Sequence, residues 1–323
     1  MRHPRIWLHV LLALVGFLAA SGASAQGYPS KTIRIVSPFA PGGAVDAIAR
    51  LLCDAFTRNL GQPCVVETRA GAGGAIGAEY AAKQAADGYT LLVGSAGIMA
   101  ILPSSGRKLG YDASRDFTSI GRAVNVFTYI GVNNTVAART LGELLAAAKD
   151  KPGSIQYASS GIGTYAHLAG EMLTLASGAP LVHVPYKGFG PAVIDLRAGH
   201  VPAMIAGELA ELGKSGAVRL LAVTNETRSP DFPDVPTLKE LGFPQFVTHS
   251  WIGLFAPRGL DPAIAARLSA VIAQALADPE ARVKLRAMGL EPAHLEPSDF
   301  SRKIEADRST YAEIIRKAGV KFD

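Results

Sequence analysis

Two glycine-rich segments of this chain have the residue types and the spacing that bind small anions. The first loop reads Ser37-Pro38-Phe39-Ala40-Pro41-Gly42-Gly43, and the second loop reads Ser159-Ser160-Gly161-Ile162-Gly163-Thr164. Each loop follows a predicted strand and precedes a predicted helix. A helix N-terminus carries about half a unit of positive charge and unpaired N–H groups, and glycine lets a ligand approach the backbone. Both loops are therefore predicted to hold an anion, although similar turns are also ordinary connections in α/β proteins.

Asp46 lies in the first turn of the helix that follows the first loop. Its carboxylate has two alternative roles. It can pair with the N-terminus of its own helix, or it can hold the N–H groups of the loop or a bridging water. The helix-pairing role is favoured, and in either role Asp46 shapes the site.

The sequence gives no indication of several other ligands. Gly161-Ile162-Gly163 lacks the third glycine and the following acid of a dinucleotide fingerprint, and neither loop contains Gly-Lys-Ser/Thr. The histidines and cysteines do not have metal-ligand spacing. No cofactor and no metal is therefore expected. The net charge of +5 comes without long basic runs, which argues against nucleic acid and suits the attraction of small anions.

Catalysis is the main alternative to binding. Ser159 or Ser160 with His167 would supply a nucleophile and a base, and Lys187 would supply an amine for a Schiff base. The sequence contains no Gly-x-Ser-x-Gly elbow. We expect His167, about one turn into its helix, to order the second loop, and Lys187 to be a solvated or cleft-lining lysine. The protein is therefore predicted not to be an enzyme, and a periplasmic hydrolase is kept as the alternative.

Cys53 and Cys64 are the two cysteines of the chain. An oxidising compartment would permit a disulfide between them. Cys53 is predicted to lie about 10 Å from the end of its helix, whereas bridged Cα atoms lie within about 7 Å. A disulfide and two buried thiols remain equal alternatives.

Residues 1–25 have the pattern of a cleaved export signal. Arg2 and Arg5 precede the apolar run 10–20, and Ala23-Ser24-Ala25 supplies small residues for the peptidase. The apolar run is shorter than the roughly 20 residues that span a bilayer. Cleavage before Gln26 and a soluble periplasmic protein are predicted, with an uncleaved membrane anchor as the alternative.

The two loops belong to two successive series of strands and helices. In the first series, the hydrophobic pattern predicts strands at 32–36, 64–67 and 89–94 and helices at 45–60 and 75–86. This βαβαβ order predicts a parallel sheet.

The second series contains the second loop. It has predicted strands at 154–158, 181–184, 201–205 and 219–224 and predicted helices at 141–149, 164–176 and 191–198. Thr140 and Glu143 form a capping box at the start of the first of these helices.

After a strand at 250–255, the last part of the chain is predicted to be mostly helical. Its helices are predicted to begin at Pro262 and Pro279, each capped by the preceding aspartate, Asp261 or Asp278, and at Pro297, and the last one ends at Gly319.

These helices are expected to pack back onto the first sheet, which predicts a two-lobed α/β fold. The first lobe would contain residues 26–124 plus 226–323, and the second lobe would contain residues 125–225. Ligands of open α/β sheets bind beyond the carboxyl ends of the strands. The two loops would therefore face each other across a cleft that closes on a small acid.

The order of several short motifs makes the chain resemble the substrate-binding proteins of tripartite tricarboxylate transporters, the Bug family. The resemblance extends from Tyr28 to the C-terminus. It rests on Pro38 to Gly43 with Asp46, Gly61-Gln62-Pro63, Gly71 to Gly74 with Gly77, Asp87 to Leu92, Ser160 to Thr164 with His167-Leu168-Ala169, His183 to Gly188, Ala222-Val223-Thr224, Asp234 to Thr237 and Trp251-Ile252-Gly253.

The resemblance implies a Venus-flytrap receptor without catalysis, in which each lobe is a mixed sheet flanked by helices. It implies a small carboxylate ligand, an organic acid or an amino acid, held between the lobes. The implied partners of this monomeric protein are the membrane permease of a tripartite transporter or, alternatively, the ectodomain of a sensor kinase. The candidate ligand-binding residues are Phe39, Ala40, Gly42, Gly43, Asp46, Ser95, Ser159, Ser160, Gly161, Gly163, Thr164, His167, Tyr186, Gly207 and Glu208.

Three segments of the chain depart from the family pattern, at residues 67–71, 95–107 and 204–208, and the last one bears on the ligand. Met204-Ile205-Ala206-Gly207-Glu208 replaces a run that usually contains phenylalanine. If Glu208 faces the cleft, it should disfavour a further ligand carboxylate and favour an amine or a hydroxyl. In that case a monocarboxylic ligand is expected; otherwise mono-, di- and tricarboxylates remain alternatives.

Overall fold

The computed structural model describes residues 27–244 and 250–322. The predicted export signal at 1–25 and its cleavage point before Gln26 lie outside the described residues. Within the two described ranges, none of the helices is long and apolar enough to cross a membrane.

The first lobe is built on a six-stranded sheet with the order β11-β4-β10-β3-β1-β2. Its N-terminal elements are β1 (Ile33–Ser37), α1 (Ala44–Leu60), β2 (Cys64–Thr68), α2 (Ala75–Ala82), β3 (Thr90–Ser95), a π-helical turn (Gly97–Ile101), α3 (Leu102–Ser104) and β4 (Phe117–Val126). Its C-terminal elements are β10 (Ser250–Pro257), α8 (Pro262–Ala277), α9 (Pro279–Ala287), β11 (Leu290–Leu295) and α10 (Pro297–Ala318). Strand β1 pairs in parallel with both β2 and β3, which confirms the parallel βαβαβ unit. The sheet is mixed, because β10 runs antiparallel to β3 and β4.

The second lobe is built on a five-stranded sheet with the order β7-β6-β8-β5-β9. Its elements are β5 (Tyr129–Asn133), α4 (Leu141–Asp150), β6 (Gln156–Ser159), α5 (Tyr165–Ser177), β7 (Val182–Pro185), α6 (Phe189–Ala198), β8 (Ala203–Ala206), α7 (Leu209–Lys214) and β9 (Val218–Val223). Strand β6 is parallel to β7 and β8, whereas β5 is antiparallel to β8 and β9. Two mixed sheets flanked by helices confirm the predicted fold class.

The chain passes between the two sheets at two neighbouring connections. The first lies between β4 and β5, and the second follows β9. Hydrogen bonds join them, since Thr128 N donates to Asn225 Oδ1 at 3.1 Å and Thr224 N donates to Thr128 O at 2.8 Å. We propose lobe limits close to residues 125 and 225, with Val126 still in the first lobe because it pairs with β10.

The sequence-based prediction missed several elements. Strands β4, β5 and β11 and the short helix α7 were not predicted, and α2 ends at Ala82 rather than at residue 86. Strand β5 is buried at all its positions, so it lacks the alternating pattern of a strand with one exposed face. Strand β11 contains Pro292 and lies at a sheet edge, where proline is tolerated. Helix α2 stops early because the N–H groups of Lys83 and Gln84 bond to carbonyls three residues back, which tightens its last turn.

A disulfide joins Cys53 of α1 to Cys64 of β2, with their Cα atoms 5.1 Å apart. The distance estimated from the sequence failed because Gly61, in the left-handed conformation, ends α1 and turns the chain back along it. Thr57 holds this reversal, since its Oγ1 donates to Cys53 O and accepts from Cys64 N. The bond fastens the helix after the first loop to the edge strand of its sheet.

The last helix, α10, returns to the first sheet as expected. Phe300 packs edge-on against Trp251 of β10, with ring centroids 4.8 Å apart. The Trp251 indole N–H donates to Asp307 Oδ2 at 2.7 Å, so the buried carboxylate and the buried indole satisfy each other. After α10, the ring of Phe322 contacts His167 in the second lobe at 5.2 Å. The C-terminal segment therefore touches both lobes.

Candidate functional site

A cavity of about 100 Å³ lies between the lobes, at the ends of the two loops. We call it the cleft cavity. From the first lobe it is lined by Phe39, Gly43, Ala44, Val45, Ser95, Gly97, Val126, Ser250 and Ile252. From the second lobe and the connection it is lined by Thr128, Ser160, Thr164, Tyr165, Ala166, Phe189, Ile205, Ala206, Gly207 and Glu208. Its walls are mostly apolar, and the N-termini of α1 and α5 both reach it.

The first loop presents the N-terminus of α1 to the cleft cavity. Gly43 is the N-cap residue and gives no side-chain cap, so the N–H groups of the first turn point toward the opposite lobe. Behind the loop, Asp46 Oδ2 accepts from Gly42 N at 3.2 Å and from Arg50 Nε at 2.9 Å. Asp46 is buried and does not line the cavity. It therefore has the second of the two predicted roles, because it holds the N–H group of Gly42 in the loop.

The second loop presents the N-terminus of α5. Thr164 is its N-cap, since Oγ1 accepts from His167 N at 3.3 Å and donates to Gly161 O at 2.7 Å. The Gly163 N–H donates to His167 Nδ1 at 3.2 Å. His167 therefore orders the second loop, which is the role we expected for it.

Buried His167 and partly buried His183 stack behind the second loop, with ring centroids 4.1 Å apart. Burial lowers the pKa of His167 to about 4. Burial, followed by the nearby His167, lowers the pKa of His183 to about 3. Both rings are therefore neutral at ordinary pH.

The described residues do not pair Ser159 or Ser160 with His167, which is the pairing that the hydrolase alternative would need. Ser159 Oγ lies 2.7 Å from His183 Nε2 rather than against His167. Ser159 is completely buried and does not line the cleft cavity. Ser160 does line the cavity, but His167 already accepts the Gly163 N–H through Nδ1. A nucleophile must reach its substrate and its base together, and this geometry provides neither serine with both.

Glu208 closes the cleft cavity from the second lobe. Its Oε1 accepts a hydrogen bond from Ala44 N, at the start of α1 in the first lobe, over 2.6 Å. Burial raises the pKa of this carboxyl group, and the N–H groups of Ala44, Glu208 and Gly207 oppose that rise. The carboxylate of the protein itself thus occupies a donor at the first anion-binding helix end.

The lobes also meet directly at backbone positions beside the cavity. Ala40 N donates to Lys187 O at 3.0 Å. Gly188 and Gly190 make the approach possible, because a Cβ on Gly188 would lie 3.0 Å from Ala40 N and one on Gly190 would lie 2.6 Å from Pro41 O. The first loop and the start of α6 are therefore packed against each other.

The structure separates the predicted binding residues into two groups. Those that line the cleft cavity are Phe39, Gly43, Ser95, Ser160, Thr164, Gly207 and Glu208. Those that do not line it are Ala40, Gly42, Asp46, Ser159, Gly161, Gly163, His167 and Tyr186. Most of the second group supports the loops or the contact between the lobes. Tyr186 turns away to donate its hydroxyl to Asp195 Oδ2 at 2.6 Å.

Several lining residues were not predicted. Ala44, Val45 and Ala166 lie in the first turns of α1 and α5, so their position at a predicted helix N-terminus marks them as candidates. Ser250 and Ile252 come from β10, which is far in sequence from both loops. No local signal marks them, because the order of the strands alone brings them to the cavity.

Among the described residues that line the cleft cavity, which exclude 245–249, Glu208 is the only one with a charged side chain. The remaining polar groups are hydroxyls and backbone N–H and C=O groups. Helix N-termini favour an anion, so the cavity can hold a small, partly apolar molecule with a carboxylate. Across the described residues, three or more His, Cys, Asp or Glu side chains do not gather as a metal site requires.

The chain is also similar to known proteins. The family model of the tripartite tricarboxylate transporter family receptor matches residues 48–320. Protein BugT of Bordetella pertussis is 38% identical over 324 residues, which cover 97% of this chain and 98% of BugT.

Solved structures of similar proteins have the same two-lobed architecture. The periplasmic binding protein BugD aligns with a TM-score of 0.86 and 34% identity, covering 91% of this chain and 99% of BugD. Rpa4515 of R. palustris, solved with adipate, aligns with a TM-score of 0.87 and 33% identity, covering 91% of this chain and 99% of Rpa4515.

Proposed function

This chain belongs to the tripartite tricarboxylate transporter receptor family, and from that premise we propose that it is a periplasmic receptor for a small carboxylate. The family is one of solute receptors rather than enzymes. The receptor would capture its ligand between the lobes and deliver it to the membrane permease of a tripartite transporter.

One observation carries the proposal. The N-termini of α1 and α5, from different lobes, line one cavity that also contains hydroxyl groups of Ser95, Ser160 and Thr164. A carboxylate placed there would lie at helix N-termini, whose partial positive charge favours an anion. A ligand held by both lobes favours the closed arrangement, because it gains contacts that the open arrangement does not offer. The adipate bound by Rpa4515, which is 33% identical to this chain, supports a carboxylate as the ligand.

The first test is a thermal-shift and calorimetric screen of small mono- and dicarboxylates and amino acids against the mature protein. At a hundredfold excess over Kd, a true ligand should stabilise the protein by about 2.7 kcal/mol. Native mass spectrometry of freshly purified protein should then show a co-purified small acid. If the whole panel fails to shift the melting temperature and the protein purifies empty, the proposal fails.

A pair of matched variants tests the position of the site. Thr164→Val removes the N-cap hydroxyl of α5 at the cavity, and Thr140→Val removes the equivalent hydroxyl of α4, which accepts from Glu143 N at 3.2 Å. Each loss should cost about 1 kcal/mol of stability. Only Thr164→Val should weaken ligand binding. Equal affinity in the two variants would show that the second loop does not hold the ligand.

A further inference from the structure

Glu208 determines the charge of one end of the cleft cavity. In the part of the chain that the structure describes, it is the only charged side chain that lines the cavity, and its Oε1 accepts from Ala44 N at 2.6 Å. A carboxylate at a helix N-terminus is the arrangement in which an anion is best held. In this chain the protein supplies that carboxylate itself, across the boundary between the lobes.

This contact changes what the first loop can offer to a ligand. The Ala44 N–H is already satisfied, and a ligand carboxylate beside it would lie next to the negative charge of Glu208. Like charges in a partly desolvated site repel strongly. Among the described lining residues there is no lysine or arginine, so no cationic side chain among them would offset that repulsion.

Among the described lining residues, the second loop contributes no carboxylate. Ser160, Thr164 and Ala166 line the cavity there, at a helix N-terminus whose dipole favours an anion. A ligand carboxylate is therefore favoured at the end of the cavity that the second loop forms. The opposite end holds Glu208, whose charged form is stabilised by the N–H groups of Ala44, Glu208 and Gly207 against the burial that raises its pKa. The wall between the two ends is mostly apolar.

We infer that Glu208 is a specificity-determining residue that receives the ammonium group of the ligand, so that the receptor takes an amino acid rather than a dicarboxylate. This inference rests on the proposed function, because it assumes that the second loop binds the ligand carboxylate. A carboxylate has about four acceptor positions, so Glu208 can keep the Ala44 N–H and still accept from an ammonium. An ammonium would also favour the ionised form of Glu208, against the burial that raises its pKa.

The test compares ligands that differ in one end group. One series contains β-alanine, 4-aminobutanoate, 5-aminopentanoate and 6-aminohexanoate, and the other contains succinate, glutarate, adipate and pimelate. Each pair shares its number of methylenes and exchanges an ammonium for a carboxylate. Alanine and valine cover ligands whose two groups lie on one carbon. Kd values are measured by calorimetry at pH 7.5 with the full mature chain.

Wild-type protein should bind its best amino acid at least about tenfold more tightly than any dicarboxylate of the series. Glu208→Gln keeps an oxygen for the Ala44 N–H but removes the charge. It should lose about tenfold or more in affinity for the amino acid and gain affinity for the matching dicarboxylate. Glu211→Gln, an exposed acid of α7 that does not line the cavity, makes the same charge change and should leave both affinities as in wild type.

The outcomes separate this inference from the proposed function. If dicarboxylates bind wild-type protein as tightly as amino acids, or if Glu208→Gln changes neither affinity, the role of Glu208 is disproved and the carboxylate receptor stands. If neither series binds either protein while both melt cooperatively, the carboxylate receptor itself fails, and the inference fails with it.

Discussion

Burial keeps two histidines behind the second loop in their neutral form. His167 accepts the Gly163 N–H through Nδ1, and His183 lies 2.7 Å from the hydroxyl of Ser159. Both hold the loop as neutral rings, because burial disfavours their charged forms. Their contribution is structural, since neither lines the cleft cavity.

We predict that His167 and His183 make the protein less stable in mild acid. Folded-state pKa values of about 4 and about 3 lie below the ordinary value of 6.5. Between those values the unfolded chain binds more protons, so stability is complete above about pH 6.5 and falls as the pH decreases toward 4. Urea unfolding between pH 7.5 and 4.5 should show a decrease in the free energy of unfolding of up to about 5 kcal/mol from this pair, since each pH unit between 6.5 and the folded-state pKa is worth about 1.4 kcal/mol per histidine.

His183→Gln provides the control for this prediction. Glutamine keeps a partner for the Ser159 hydroxyl and does not titrate, so the variant should lose stability with decreasing pH less steeply than wild type. An unchanged slope would show that His183 does not contribute.

At the scale of elements, glycines decide how closely the loops approach each other. Gly190 is the second residue of α6, and no Cβ fits there, because it would lie 2.6 Å from the carbonyl oxygen of Pro41 in the opposite lobe. Gly142 is the second residue of α4, where the nearest atom to such a Cβ is 3.9 Å away. The two glycines thus occupy the same helical position, and only one faces the other lobe.

Gly190→Ala should therefore hinder closure without harming the fold. Alanine inside a helix is favoured over glycine by about 0.5–1 kcal/mol, so the melting temperature without ligand should be unchanged or higher. The affinity for the ligand should fall by about tenfold, because a clash of this size costs on the order of 1–3 kcal/mol. Calorimetric titration gives the affinity.

Gly142→Ala is the matched control. It should raise stability in the same way and leave the affinity unchanged. If Gly190→Ala binds as tightly as Gly142→Ala, the contact between the first loop and α6 is not needed for binding.

For the whole molecule, the arrangement of two lobes joined by neighbouring connections favours a hinge motion. Thr128 and Asn225 link the connections, while the contacts of Ala40, Glu208 and Phe322 with the opposite lobe lie at the loops and at the C-terminal segment. Hinges absorb motion in a few residues at the ends of elements. Closing the lobes would make and break contacts at the cleft while each sheet keeps its own pairing.

Small-angle scattering tests this motion. The radius of gyration should decrease when a ligand identified in the screen is added, because the ligand stabilises the closed arrangement. The decrease should be smaller in Gly190→Ala at the same occupancy. Identical profiles of wild-type protein with and without bound ligand would contradict closure.

Local signals in the sequence predicted much of the fold. Thr140, Asp261 and Asp278 cap the helices that follow them, as predicted. Gly61 and Gly319 end helices in the left-handed conformation. These features depend on residues a few positions apart, so they can be read directly from the sequence. The capping box differs in one detail, since the carboxylate of Glu143 accepts from Arg139 N rather than from Thr140 N.

What the sequence by itself determined is the set of local units: two glycine-rich loops at helix N-termini, two series of strands and helices, and the acid Glu208 in place of the usual phenylalanine-containing run. Only the tertiary structure decided which of these meet. Glu208 and Ala44 are 164 residues apart in the chain, and Ser159 bonds to His183 rather than to the nearer His167. The reason is that strand order and contact between the lobes fix such distances, and both depend on packing across the whole chain rather than on neighbouring residues.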